Sequence, residues 1–271
     1  MTAATTTRHA VSILPIGGPT ALVDIGGLRI ILDPTFDAAQ DYTGHDGTEG
    51  LKGVIRTEGP ALRRDEVGTV DVALVSHDHH IDNLDTSGRE FLGTVDHVYT
   101  TDLGAERIAN GAVGLEDYKS AEIALPEGGT LTITGVPAQH GPDGVWQQIG
   151  PVTGFVLSGD GVPTTYVSGD NSSVEVVRGI AERFPDIAVA VLFVGGAGFE
   201  ELADGVYITL SNERALQAAE ILEGATIVPV HADSWKHFRE DTDDLRAIFE
   251  RAGVSDRLRV IDRGAQVTVA E

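Results

Sequence analysis

The apolar residues of this chain fall into short runs, many of them β-branched, separated by Gly, Pro and Asp. That rhythm predicts strands more often than helices. Residues 11–16, 21–25 and 28–32 read as three strands, with turns at Gly17-Gly18-Pro19 and Gly26-Gly27, and Asp33-Pro34 ends the third. Residues 36–59 carry no such run. They predict a connection long for the inside of a domain, expected to lie as a flap over a functional site and shape substrate choice. Residues 61–67 predict a short helix and 70–75 a buried strand.

The pattern then alternates. Residues 82–91 predict a helix with Asp82 or Asp85 near its start. Residues 96–100 predict a strand, and 102–110 a helix capped by Asp102 and stopped at Gly111. Strands follow at 122–125 and 130–136, then a hairpin of 152–157 and 164–167 around Gly159-Asp160-Gly161. Residues 172–184 read as helix and 187–194 as a buried strand ending in Gly195-Gly196. Residues 211–222 form an amphipathic helix, with Ala215, Leu216, Ala219 and Leu222 on one stripe. A strand at 225–230 leads into a largely helical 234–251, which places Trp235 and His237 on a helix. Strands at 258–261 and 266–269 close the chain. This order predicts two mixed halves of similar plan, sheets inside and helices outside. With no linker and no short-period repeat, one domain over residues 1–271 is expected, frayed at 1–9.

Composition narrows the chemistry. The net charge of −23 argues against nucleic acid or an anionic membrane as partner. The absence of cysteine removes disulfides, thiolate metal sites and cysteine nucleophiles, and fits a cytoplasmic location. No run has the apolar length of a membrane span, and the first nine residues lack the apolar core of a signal peptide.

Four strands end in a residue of metal-ligand type: 70–75 before His77, 130–136 before His140, 164–167 before Asp170 and 225–230 before His231. Strand carboxyl ends commonly share one edge of a sheet, so ligands scattered in sequence can converge. The densest segment is Ser76-His77-Asp78-His79-His80-Ile81-Asp82-Asn83, whose imidazoles and carboxylates suit a borderline divalent cation. Taken singly, His140 or His231 reads as a core histidine and Asp170 as a turn residue; the joint pattern points to a metal. Other motifs fail. Gly195-Gly196-Ala197-Gly198 lacks dinucleotide spacing and reads as tight packing or a loop near the site. No G-x-S-x-G element supports a serine hydrolase. His237 and Trp235 read as packing and surface residues.

On these residues the chain resembles the metallo-β-lactamase superfamily, whose first motif is H-x-H-x-D-H and whose later motifs place a His, a bridging Asp and a last His at strand ends. The resemblance implies an α/β fold, a four-layer αββα sandwich with two mixed sheets inside and helices outside. It implies a first ion on His77, His79 and His140 with Asp170 bridging. It implies a second on Asp82, His231 and Asp170, completed by His80 or Asn83. The segment departs from the motif, because Ile81 and Asp82 stand where an acid and a histidine belong; inserting one residue aligns Asp82 with the family Asp and Asn83 with its His. Residues 25–34, and 211–222 followed by 228–231, resemble the branch with ascorbate-phosphate lactonase and N-acyl-phosphatidylethanolamine phospholipase D. The implied activity is a soluble metal-dependent hydrolase with one or two divalent ions, Zn2+ first and Mn2+ second. Its expected substrate is a small lactone, ester, amide or phosphodiester with an anionic group, and Asp82 serves as the catalytic acid–base. The alternative is a non-catalytic metal-binding or regulatory protein on the same fold.

Overall fold

The structure is a computed structural model that describes residues 8–45, 52–116 and 118–271. Most of the expected fray at 1–9, and the centre of the 36–59 connection, lie outside the described residues. His9 is not frayed: it is buried, and its Nε2 donates to the Gly128 carbonyl.

The strands are β1 (Val11–Gly17), β2 (Thr20–Ile25), β3 (Leu28–Leu32), β4 (Gln40–Asp41), β5 (Ile55–Arg56), β6 (Val72–Leu74), β7 (His97–Thr100) and β8 (Val113–Gly114). Then follow β9 (Ser120–Ala124), β10 (Thr130–Pro137), β11 (Thr153–Gly159), β12 (Val162–Val167), β13 (Val189–Phe193), β14 (Thr226–Val230) and β15 (Val267–Ala270). The helices are α1 (Thr86–Leu92), α2 (Asp102–Ile108), α3 (Trp146–Ile149), α4 (Val174–Arg183), α5 (Asn212–Ile221) and α6 (Thr242–Ala252). A seven-stranded sheet runs β15-β1-β2-β3-β6-β7-β8, and a six-stranded sheet runs β14-β13-β12-β11-β10-β9. Both are mixed: β3, β6, β7 and β8 pair in parallel, as do β12, β13 and β14, while the other neighbours are antiparallel.

Two-residue alternation decides which layer each side chain enters. On β13, Val189, Val191 and Phe193 enter the core between the sheets, while Ala190 and Leu192 face the helical layer. On β3, Ile30 and Leu32 face inward and Ile31 outward. The outer face of the six-stranded sheet is covered by α4, α5 and α6 through Val177, Ile180, Ala215, Ala218, Leu245 and Phe249. That of the seven-stranded sheet is covered by Phe91 and Leu92 of α1. This is the four-layer αββα arrangement that the superfamily resemblance implied, with the sheets inside and helices outside that the strand–helix order predicted. Among the described residues no helix is long and apolar enough to cross a membrane.

Several elements depart from expectation for local reasons. Asp85, not Asp82, caps α1, its carboxylate accepting from the Gly88 N–H, so the helix begins four residues later than the pattern suggested. Thr101 rather than Asp102 caps α2. Residues 61–67 form turns, not a helix. The helix expected from 234 starts only at Thr242: Ser234 takes a left-handed φ of 68°, and Asp241 caps α6 by accepting from the N–H groups of Asp243 and Asp244. Residues 258–261 make one bridge, Leu258 to Ile227, rather than a strand.

Candidate metal centre

The seven-stranded sheet delivers the first ligands. Strand β6 ends at Leu74, and the chain turns through Ser76 and His77 under the hold of Asp33, which follows β3 in a left-handed conformation (φ 35°). Asp33 accepts from the Ser76 N–H at 2.5 Å on one oxygen, and from the Ser76 hydroxyl at 2.6 Å and the Asn83 amide at 3.0 Å on the other. Burial pushes the Asp33 carboxyl up to about 7, against these donated hydrogen bonds. Because the Ser76 hydroxyl spends its proton on Asp33, it accepts from His77 Nδ1 at 2.9 Å. His77 Nε2 is then a lone pair facing inward.

The six-stranded sheet delivers the rest. His140 follows β10, and its Nδ1 donates to the Ile208 carbonyl at 2.6 Å. His231 follows β14 with φ 63°, and its Nδ1 donates to the Val194 carbonyl at 3.3 Å. Both rings therefore turn Nε2, not Nδ1, toward the site. Gly195 permits this packing, since a Cβ there would lie 2.3 Å from the His231 carbonyl oxygen. Asp170 follows β12 and is buried between the histidines.

Among the described residues two groups of ligand atoms result, each mutually within 4.8 Å: His77, His80, His140 and Asp170, and Asp82, Asp170 and His231. In the first, His80 Nδ1 lies 2.9 Å from His77 Nε2 and 3.3 Å from His140 Nε2, and Asp170 Oδ2 lies 3.3 Å from His140 Nε2. In the second, His231 Nε2 lies 3.3 Å from Asp170 Oδ1 and 3.6 Å from Asp82 Oδ2. Asp170 belongs to both groups, through different oxygens.

Of the sequence candidates, His79 stands apart. Its Nε2 donates to the Ile149 carbonyl at 3.0 Å, and it belongs to neither group. His80 takes the place that the simple H-x-H spacing gave to His79, so the extra residue of the motif falls between His77 and His80. Asn83 contributes no ligand atom to either group; its amide donates to Asp33 and, at 3.1 Å, to Asp170 Oδ1. The histidine that sequence reasoning set aside is His237. It is buried, and its Nε2 lies 2.9 Å from Asp82 Oδ2.

The electrostatics suit a cation. Burial pulls the His77 and His80 imidazoles well below their ordinary range, with neighbouring imidazoles adding to it, so both stay neutral and ligand-ready. Burial also acts against charge on His231, but Asp170 and Asp82 outweigh it and push this imidazole up to about 9. Burial would raise Asp82; the imidazoles of His231 and His237 beside it outweigh burial and hold its carboxyl well below the usual range. His231 Nε2 is buried with no hydrogen-bond partner while facing two carboxylates. In the metal-free site the two carboxylates favour a proton on this nitrogen, and a positive ion bound there would take that proton's place. The donor set of imidazole nitrogens and carboxylates fits a divalent transition ion.

The described ends of the 36–59 connection reach this side of the molecule. Tyr42 and Val54 pack with Ala197, Phe199, Ile208 and Trp235, alongside Ile81, Val145, Ile149 and Phe238. Arg56 bridges to Trp235 through its backbone and forms a buried ion pair with Asp85 at 2.9 Å. The connection is thus anchored to the segments that carry His231 and Asp82.

A model of the beta-lactamase superfamily domain matches residues 28–232, which span every residue of both ligand groups. The chain belongs to the metallo-β-lactamase superfamily. A UPF0173 metal-dependent hydrolase of Pyrococcus furiosus is 29% identical over 195 residues, covering 69% of this chain and 78% of that protein. Among solved structures, an isothiocyanate hydrolase from Delia radicum gut bacteria superposes with a TM-score of 0.79 at 22% identity, covering 96% of this chain and 100% of that one. A possible metal-dependent hydrolase from Veillonella parvula gives 0.80 at 18% identity, over 96% and 99%. At these identities the superpositions speak for the shared fold, and the superfamily membership rests on the domain match.

Proposed function

We propose that this protein is a metal-dependent hydrolase acting on a small molecule. The observation that carries the reading is the pair of buried ligand groups sharing Asp170. His77, His80 and His140 with Asp170 would hold the first ion, and Asp82, His231 and Asp170 a second. A divalent ion held there lowers the pKa of a water from about 15.7 toward about 7 and polarises the substrate oxygen. Zn2+ suits this nitrogen-rich set best, with Mn2+ as the second choice.

The chain's own residues do the rest. Asp82 accepts the proton of the attacking water and returns it to the leaving group. The outward nitrogens of His77, His140 and His231 are each engaged by oxygen, which fixes the rings before substrate arrives. The apolar cluster around Phe199, Ile208 and Trp235 supports exclusion of bulk water, and the 36–59 connection would tune which substrates enter. Arg89, which donates to Asp78, borders a cavity of about 620 Å³ beside His79 and His80 and offers a cation to an anionic substrate group. A second reading, a non-catalytic protein with one ion, draws on Asn83, which stands where the superfamily pattern has a histidine.

Metal analysis of the purified chain, with a screen of lactones, esters, phosphodiesters and isothiocyanates in the presence of Zn2+ or Mn2+, tests the proposal. Two equivalents and turnover support it; His140→Ala should lose at least one equivalent. Metal-replete protein with no bound ion would overturn it.

A further inference from the structure

Two imidazoles approach the same oxygen of Asp82, one at ligand-group distance and one at hydrogen-bond distance. His231 has committed its Nδ1–H to the Val194 carbonyl, so the nitrogen it turns toward Asp82 Oδ2, at 3.6 Å, is Nε2, its ligand atom in the group with Asp170. His237 Nε2 lies 2.9 Å from the same oxygen, and against a carboxylate that contact requires an N–H. Asp82 is therefore gripped from one side by a donor while its other neighbours, His231 and Asp170, wait for a cation.

His237 is itself held still. Its ring stacks on Phe199 with centroids 4.7 Å apart and meets Phe238 edge-on at 4.8 Å and Trp235 edge-on at 5.8 Å. Its carbonyl accepts from the Gly198 N–H at 3.2 Å. The irregular path after β14, with Ser234 at φ 68°, is what turns the residue back toward Asp82; a helix begun at 234 would follow a different path. His237 belongs to neither ligand group, so its place is behind Asp82 rather than among the donors. Asn83, the neighbour of Asp82, gives the carboxylate no support, since its amide is spent on Asp33 and Asp170.

We propose that His237 is a positioning residue for the second ion: its Nε2–H fixes the Asp82 carboxylate in the orientation that completes the group with Asp170 and His231. This rests on the metal-centre reading above. A ligating carboxylate is commonly held by such an outer hydrogen bond, and losing one typically costs about 10–100-fold in metal affinity.

The test is calorimetric titration of the metal-free full chain with Zn2+ alone, comparing wild type, His237→Phe and His237→Gln. Phenylalanine keeps the ring packing against Phe199 and Trp235 and removes the N–H, whereas glutamine restores a donor. The first equivalent should stay within a few-fold of wild type in both variants. The second should weaken about 10–100-fold in His237→Phe and recover in part in His237→Gln. A purely structural ring predicts an undisturbed second equivalent in His237→Phe, and that result overturns the inference while leaving the metal centre intact. A wild type that binds one equivalent also ends it; a wild type that binds none ends the metal-centre reading with it. Should His237→Phe fail to fold, nitrogen NMR of the wild type loaded with cadmium-113 decides. A His237 ring in the Nε2–H form without cadmium coupling is expected, and coupling to His237 would refute the positioning role.

Discussion

Replacing Asp33 by Asn probes the support beneath His77. The backbone at this position is left-handed, a region Asn tolerates well, so the substitution adds no strain of its own. The carboxylate accepts three hydrogen bonds on two oxygens, two from Ser76 and one from Asn83. A carboxamide has one oxygen. With that oxygen toward the Ser76 and Asn83 side chains, its NH2 group confronts the Ser76 N–H. In the other orientation it confronts the hydroxyl and the Asn83 amide. Either way one or two buried donors lose their acceptor, at about 1–3 kcal/mol each, so the loss is about 1–6 kcal/mol. For a chain of this size about 2 °C of melting temperature accompanies each kcal/mol, which gives a drop of about 2–12 °C in the metal-free protein. There is a second effect. Once the Ser76 hydroxyl no longer donates to Asp33, it can donate to His77 Nδ1 and move the ring proton to Nε2, where it blocks the ligand lone pair. The first Zn2+ equivalent should then weaken about 10–100-fold. Scanning calorimetry and Zn2+ titration read both quantities. A variant that melts within about 1 °C of wild type and binds the first ion with unchanged affinity would refute the chain of hydrogen bonds from Asp33 to His77.

Asp82→Asn should leave the fold intact, because Asp85 and not Asp82 caps α1, yet lower turnover at least about a hundredfold. Turnover within a few-fold of wild type, on any substrate found by the screen, would remove Asp82 from the chemistry. Arg56→Met leaves Asp85 as a buried charge without its ion-pair partner, since both side chains are fully buried, and should cost about 3–5 kcal/mol in denaturant unfolding. A loss below about 1 kcal/mol would mean that water reaches Asp85.

The strands were largely legible in the sequence because apolar runs bounded by Gly and Pro leave few alternatives. Strands β1 to β3 and β10 to β14 lie within about two residues of their expected limits. The superfamily resemblance supplied the layer order. Where the structure places a residue differently from the sequence pattern, the cause is a contact that spacing alone does not reveal. Both His79 and His80 follow His77 closely enough to join it, and the Ile149 carbonyl, 70 residues away, takes His79 out of the group. His237 seemed an ordinary residue of a helix because nothing nearby in sequence announces the left-handed turn at Ser234 or the partner 155 residues upstream. The start of α1 moved because both Asp82 and Asp85 can cap a helix, and only the Gly88 N–H chooses between them.

The ligand groups draw on both sheets at once. His77, His80 and Asp82 follow β6 of the seven-stranded sheet, while His140, Asp170 and His231 follow β10, β12 and β14 of the six-stranded one. An ion in either group is thus a clasp between two leaves, added to the apolar core between them and to a few hydrogen bonds such as Asn83 to Asp170. An unfolded chain offers no such geometry, so binding adds to folding stability by mass action, about 2.7 kcal/mol when free ion stands at a hundred times its dissociation constant. The melting temperature of this protein thereby becomes a gauge of which metal it holds and how tightly, readable before any substrate is known.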